Sequence, residues 1–153
     1  MKTRMIVVSL VLCFAGAMLC LAEDANMGSW KLNEGKSKFS AGAPKGDKVV
    51  CEASGDSVKV TVDGTANGKP THSEWTGKFD GKDYPVAGDP NQEARAYTKV
   101  DDHTLKVKIK RGDKVAMTGT VIISADGSTR TVKASGTSAD GKKVSYTAVY
   151  DKQ

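Results

Sequence analysis

Alternation of apolar and polar residues, broken at short intervals by glycine-bearing turns, restricts this chain more than any other feature. Val58, Val60 and Val62 alternate with Lys59, Thr61 and Asp63, and Leu105, Val107 and Ile109 with Lys106, Lys108 and Lys110. Val115, Met117, Val121 and Ile123 share one phase, as do Val144, Tyr146, Ala148 and Tyr150. A period of two puts successive side chains on opposite faces of a strand, so each run describes a sheet with one dry face and one wet face. Gly55-Asp56, Asp63-Gly64, Asn67-Gly68, Asp80-Gly81, Gly112-Asp113, Asp126-Gly127 and Asp140-Gly141 separate the runs. Asn-Gly and Asp-Gly supply the positive φ angles that two-residue hairpin turns require. The pattern predicts strands over 28–33, 47–53, 57–63, 71–79, 82–86, 94–100, 104–111, 114–124, 128–136 and 142–151. Helical periodicity is missing from residues 23–153, and 33–46 is the one long irregular stretch. Consecutive hairpins imply an all-β antiparallel up-and-down meander, which removes its open edges by closing into a barrel of about 8–10 strands. A two-sheet β-sandwich is the alternative.

The N-terminus reads as an export signal. Lys2 and Arg4 precede an apolar run from Met5 to Phe14, then small residues, then the acidic pair Glu23-Asp24. Positive, apolar and small-residue regions in that order mark a secretory signal over residues 1–22, with Ala22 a better cleavage site than Ala17. A retained anchor helix fits less well, because no basic stop-transfer cluster follows Ala22. Cleavage would leave one domain, 23–153, in the periplasm or outside the cell, with no stable membrane anchor. It removes two basic residues and no acidic one, taking the formal charge from +5 to +3.

Within 23–153 there are 13 Val, 3 Ile, 2 Leu and 2 Phe, enough for one lean core and no second domain. Cys51 is the single cysteine there, so an internal disulfide is excluded. Flanked by Val49, Val50 and Ala53, it reads as a small buried apolar residue.

Tests for chemistry come out sparse. His72 and Glu74 share a strand face, but no third or fourth metal ligand stands at a recognisable spacing. His103 falls in a turn. A Gly-x-Ser-x-Gly elbow and a Cys–His nucleophile pair are both missing, so the chain is expected not to be an enzyme and to carry no cofactor or metal. The stripe Lys106, Lys108 and Lys110 lacks the interleaved aromatics of a nucleic-acid surface. It suits a solvated outer sheet face, or a basic surface for a macromolecular partner of an exported protein.

The aromatics suggest a pocket wall. Tyr146 and Tyr150 share the inward phase of Val144 and Ala148, and Trp30 and Trp75 fall on strands. A wide barrel with few aliphatics has interior to spare for polar groups, water or a ligand. Arg130, in phase with Val132 and Ala134, reads as an inward arginine that stacks on Trp30 or meets a ligand anion. The ligand-binding set expected is therefore Trp30, Trp75, Arg130, Tyr146 and Tyr150, holding a small, largely apolar molecule in a monomeric barrel.

Gly28-Ser29-Trp30-Lys31-Leu32 resembles the Gly-x-Trp signature of the lipocalin and fatty-acid-binding (calycin) barrels. Tyr146-Thr147-Ala148-Val149-Tyr150-Asp151-Lys152 is similar to the last strand of the intracellular fatty-acid carriers. The runs Trp30 to Asn33, Lys36 to Phe39, Phe79 to Val86 and Val149 to Gln153 resemble a family of small exported bacterial lipocalin-like proteins. The resemblance implies export and a lipocalin-like barrel, and brings no assigned activity. The carriers' last strand offers Arg-x-Tyr to a carboxylate, whereas this chain has Ala148-Val149-Tyr150, keeping the tyrosine without the arginine. Their helical lid would fall in 33–46, where no helical pattern exists.

Overall fold

Ten strands follow one another around a ring, each antiparallel to the next, as the hairpin pattern requires. They are β1 (Gly28–Leu32), β3 (Lys45–Ser54), β4 (Ser57–Ala66), β5 (Lys69–Gly77), β6 (Tyr84–Ala87), β7 (Ala94–Asp101), β8 (Thr104–Arg111), β9 (Lys114–Ile123), β10 (Thr129–Thr137) and β11 (Lys143–Lys152). The computed structural model describes residues 24–153, so the export signal expected over 1–22 lies outside the described residues. β1 pairs with β11, Trp30 facing Lys152 and Leu32 facing Tyr150, which closes the ring and excludes the sandwich. The result is a closed antiparallel up-and-down barrel, compatible with a calycin-like fold.

The irregular stretch 33–46 carries more order than its composition suggests. Asn33 Oδ1 accepts from the Lys36 amide at 3.2 Å and caps a single 3-10 turn, Glu34–Lys36. The two-residue strand β2 (Lys38–Phe39) then pairs with Tyr146 and Thr147 of β11. Ser37 anchors the step, its hydroxyl accepting from the Val149 amide at 2.9 Å.

One turn reading and one phase reading are corrected. Asp63-Gly64 does not turn: β4 continues to Ala66, and Asn67-Gly68, both at positive φ, form the hairpin instead. Gly64 is needed because a Cβ there would overlap the Lys45 carbonyl opposite. On β9, Val115 is 50 % exposed although it keeps the phase of Met117. The register slips between Ile109 and Lys110, so Ala116 is an extra residue and Val115 points outward. A second bulge between Gly46 and Lys48 moves Asp47, in phase with Val49 and Cys51, to the exposed side. A bulge inverts phase from that point onward, which alternation alone does not reveal.

Because strands alternate in direction, all turns fall on two rims. One rim holds 55–56, 78–83, 102–103 and 124–128, together with the N-terminal residues 24–27. The other holds 40–44, 67–68, 88–93, 112–113 and 138–142. The first end is packed. Trp30 and Trp75 are 0 % and 1 % exposed there, among Val60, Leu105, Val121 and Ile123.

Candidate functional site

At the second rim the barrel is hollow. A cavity of about 170 Å³ opens between the rim loops and runs inward past Val62, Val132, Met117, Tyr146 and Tyr150. Its size matches a small molecule: an apolar cavity of about 150 Å³ holds one benzene, and drug-sized pockets start near 300 Å³. Arg111 crosses the mouth, Nε donating to the Asn91 carbonyl at 3.1 Å and Nη1 to the Ser138 carbonyl at 3.2 Å. It thereby ties two rim loops together.

The five residues singled out from sequence divide between the two ends. Arg130, Tyr146 and Tyr150 line the cavity. Trp30 and Trp75 do not; they point inward but at the packed end. Trp30 Nε1 donates to the Asn26 carbonyl at 3.2 Å, and Asn26 sits in the segment that covers that end. Trp75 is enclosed by Phe79, Tyr84 and Tyr97, ring centroids 6.3, 5.7 and 4.9 Å away, and its Nε1 donates to the Arg95 carbonyl at 2.8 Å. The cation over Trp30 is Lys152, with Nζ 5.4 Å from the ring centroid. Arg130 faces the interior instead, its Nη1 3.9 Å from Cys51 Sγ.

Arg95 is the lining residue that alternation missed. It shares the inward phase of Tyr97, the same signal that marked Arg130, but Ala94 and Ala96 on the opposite phase blur which face of β7 is the apolar one. Its Nη2 donates to Gln92 Oε1 at 2.6 Å and to Ser73 Oγ at 3.3 Å, and its Nη1 to the Tyr97 hydroxyl at 3.4 Å. Gln92 in turn donates to Asp89 at 2.7 Å. Burial pushes the Tyr146 and Tyr150 phenols and the Cys51 thiol above their ordinary values, so all three are neutral at pH 7.

On the outer wall, a shallow groove of about 670 Å³ passes Lys106, Lys108, Thr118, Thr120 and Lys133. The lysine stripe is partly neutralised there. Asp83 lies 3.2 Å from Lys108 Nζ and 2.5 Å from Lys110 Nζ, and its carboxyl is held below the usual range by Lys110 first. His72 and Glu74 share the outer face of β5 as expected, with Asp63 beside them: His72 Nδ1 is 2.6 Å from Asp63 and Nε2 is 3.6 Å from Glu74. Both ring nitrogens therefore already face carboxylates.

Fold and cavity together define the class: a closed antiparallel barrel, solid at one end and hollow at the other, compatible with ligand binding. No family model matches the chain, and its sequence matches no curated protein.

Proposed function

We propose that this protein is an exported, non-catalytic binder of a small molecule, held in the hollow end of the barrel. The observation that carries the reading is the cavity itself. It is open at one rim, walled by aliphatic and tyrosine side chains, and of a size for one ring or a short chain rather than a whole lipid. The sequence holds no recognisable nucleophile–base pair, and the interior thiol of Cys51 is kept protonated by burial. The sequence pattern at residues 1–22 supports export. A partner-binding role for the outer lysine face has less support, because Asp83 already engages two of its three lysines.

Native mass spectrometry of the purified protein tests this against a panel of ring-sized and short-chain compounds, neutral and charged. At least one should bind one-to-one, and Val132→Phe, which fills the cavity from β10, should weaken it at least tenfold. A panel without a single binder overturns the proposal.

A further inference from the structure

Two arginines stand inside this barrel without a carboxylate beside them. Arg95 is 4 % exposed and Arg130 is 3 % exposed. Neither forms a salt bridge among the described residues, whereas the surface lysines Lys45, Lys59, Lys78, Lys99, Lys108 and Lys110 all do. The Nε of each arginine is buried with no hydrogen-bond partner. Arg130 is the poorer provided, its one side-chain contact being the weak acceptor Cys51 Sγ at 3.9 Å. Arg95 reaches a carboxylate only at one remove, through Gln92 to Asp89.

A guanidinium cannot give up its proton at any physiological pH, so burial does not neutralise it. An unpaired buried charge is strongly unfavourable unless something compensates it. The surroundings do the reverse. Apart from Lys45, which pairs with Glu34, the basic residues Arg95, Arg111 and Arg130 line the cavity against one carboxylate, Asp89. The β3 bulge turns out Asp47, the acid whose phase would have aimed it inward. Tyr146 and Tyr150 keep their protons and so present hydroxyl donors along the same wall.

We infer that the missing counter-charge arrives with the ligand: the cavity takes a small oxyanion, a carboxylate, phosphate or sulfate on a compact apolar body, against Arg95 and Arg130. Planar guanidiniums match such groups with paired N–H donors. A molecule that fills about 170 Å³ leaves neither arginine out of reach, since both line that one space. Arg95 lies on β7 near the mouth and Arg130 on β10 near the floor, and both face the one hollow. Arg111 at the mouth adds a positive field that favours entry. This inference rests on the small-molecule reading above and narrows its ligand from apolar to anionic.

Calorimetric titration of the purified protein with matched one-ring probes decides it: benzoate, phenyl phosphate and phenyl sulfate against neutral benzyl alcohol. At least one anion should bind thirty-fold or more tighter than the alcohol. Arg130→Met and Arg95→Met should each bring the ratio of anion to alcohol affinity most of the way to one, and the preferred head group names the oxyanion. Without ligand, Arg130→Met should melt at or above the wild-type temperature, because it removes an uncompensated charge; a purely structural arginine would lower the melting point. Should a methionine variant fail to fold, Arg130→Gln gives the same affinity comparison. Equal or tighter binding of the alcohol overturns the anion and leaves the carrier standing. If no organic probe binds, the carrier falls, and sodium sulfate then decides the anion. An arginine-dependent rise in melting temperature sustains it, and no rise, or one that survives both substitutions, ends it.

Discussion

The two ends of this barrel are built from the same strands and the same alternation, yet they solve opposite problems. At the N-terminal plug, Trp30, Trp75, Val60, Leu105 and Ile123 fill the bore and their polar atoms are spoken for, each indole N–H meeting a backbone carbonyl. Beyond them the hollow is walled by Tyr146, Tyr150 and Arg95, with Arg130 beside Ile123 at its floor; the bore stays open, and the Nε of each guanidinium lacks a partner. On the proposed function, stability and binding draw on different halves of one sheet. Interior packing that is complete leaves nothing for a ligand, while an interior left polar and hollow depends on the packed half to hold it closed.

The sharpest way to break that division is truncation at each end. Trp75→Ala should cost about 3–5 kcal/mol, the range for deleting a fully enclosed aromatic. Val132→Ala, on the wall of a space already present, should cost about 1 kcal/mol, since it adds hollow to hollow. Equilibrium urea unfolding of both variants measures the difference. Equal losses would show that the second end is packed in solution and that the division is false.

The strands were legible because period-two alternation and turn dipeptides act locally, and fifteen of the twenty predicted strand ends fall within one residue of the observed ones. Height within the barrel was not legible. Trp30 and Trp75 face inward as their phase requires, but which end is closed depends on residues 24–27 and 78–83 folding over it, a long-range event that no alternation records. Phase itself failed at Val115, where a bulge inserts a residue, and a second bulge turns Asp47 away from the side that Val49 and Cys51 share. Gly64 looked like a turn because glycine signals both a bend and a close backbone approach, and here the approach to Lys45 is what requires it.

Addition of a methyl group sharpens the comparison at smaller scale. A Cβ on Gly77 would stand 2.6 Å from the Tyr84 ring and 2.7 Å from Trp75, at the packed end. Gly77→Ala should therefore cost about 1–3 kcal/mol by overpacking. Val132→Ile extends into the cavity and should leave stability unchanged or raise it by up to about 1 kcal/mol. Thermal unfolding of the two variants side by side reads the sign at each end. Destabilisation of similar size in both would mean that the hollow end has no room to give.

The smallest effect is electrostatic, and it separates the rims by pH. His72, on the outer wall toward the open rim, is held above its ordinary 6.5 chiefly by its hydrogen bond to Asp63. A raised histidine stabilises the fold fully below about pH 6.5, and that contribution is lost as pH rises through the higher folded value. Asp126, in the turn at the packed rim, is lowered to about 2 by hydrogen bonds from Ser124 and then Ser128. Its contribution is present above the ordinary carboxylate value of 3.8 and disappears as pH falls toward 2. Both groups are exposed, so the effect on stability is slight and is better read from the groups themselves. An NMR titration should give His72 a midpoint above 6.5 that Asp63→Asn returns toward that value, and Asp126 a midpoint near 2 that Ser124→Ala raises. A His72 midpoint at or below 6.5 would show that the Asp63 contact does not persist in solution, and the open rim would then be looser than its hydrogen bonds imply.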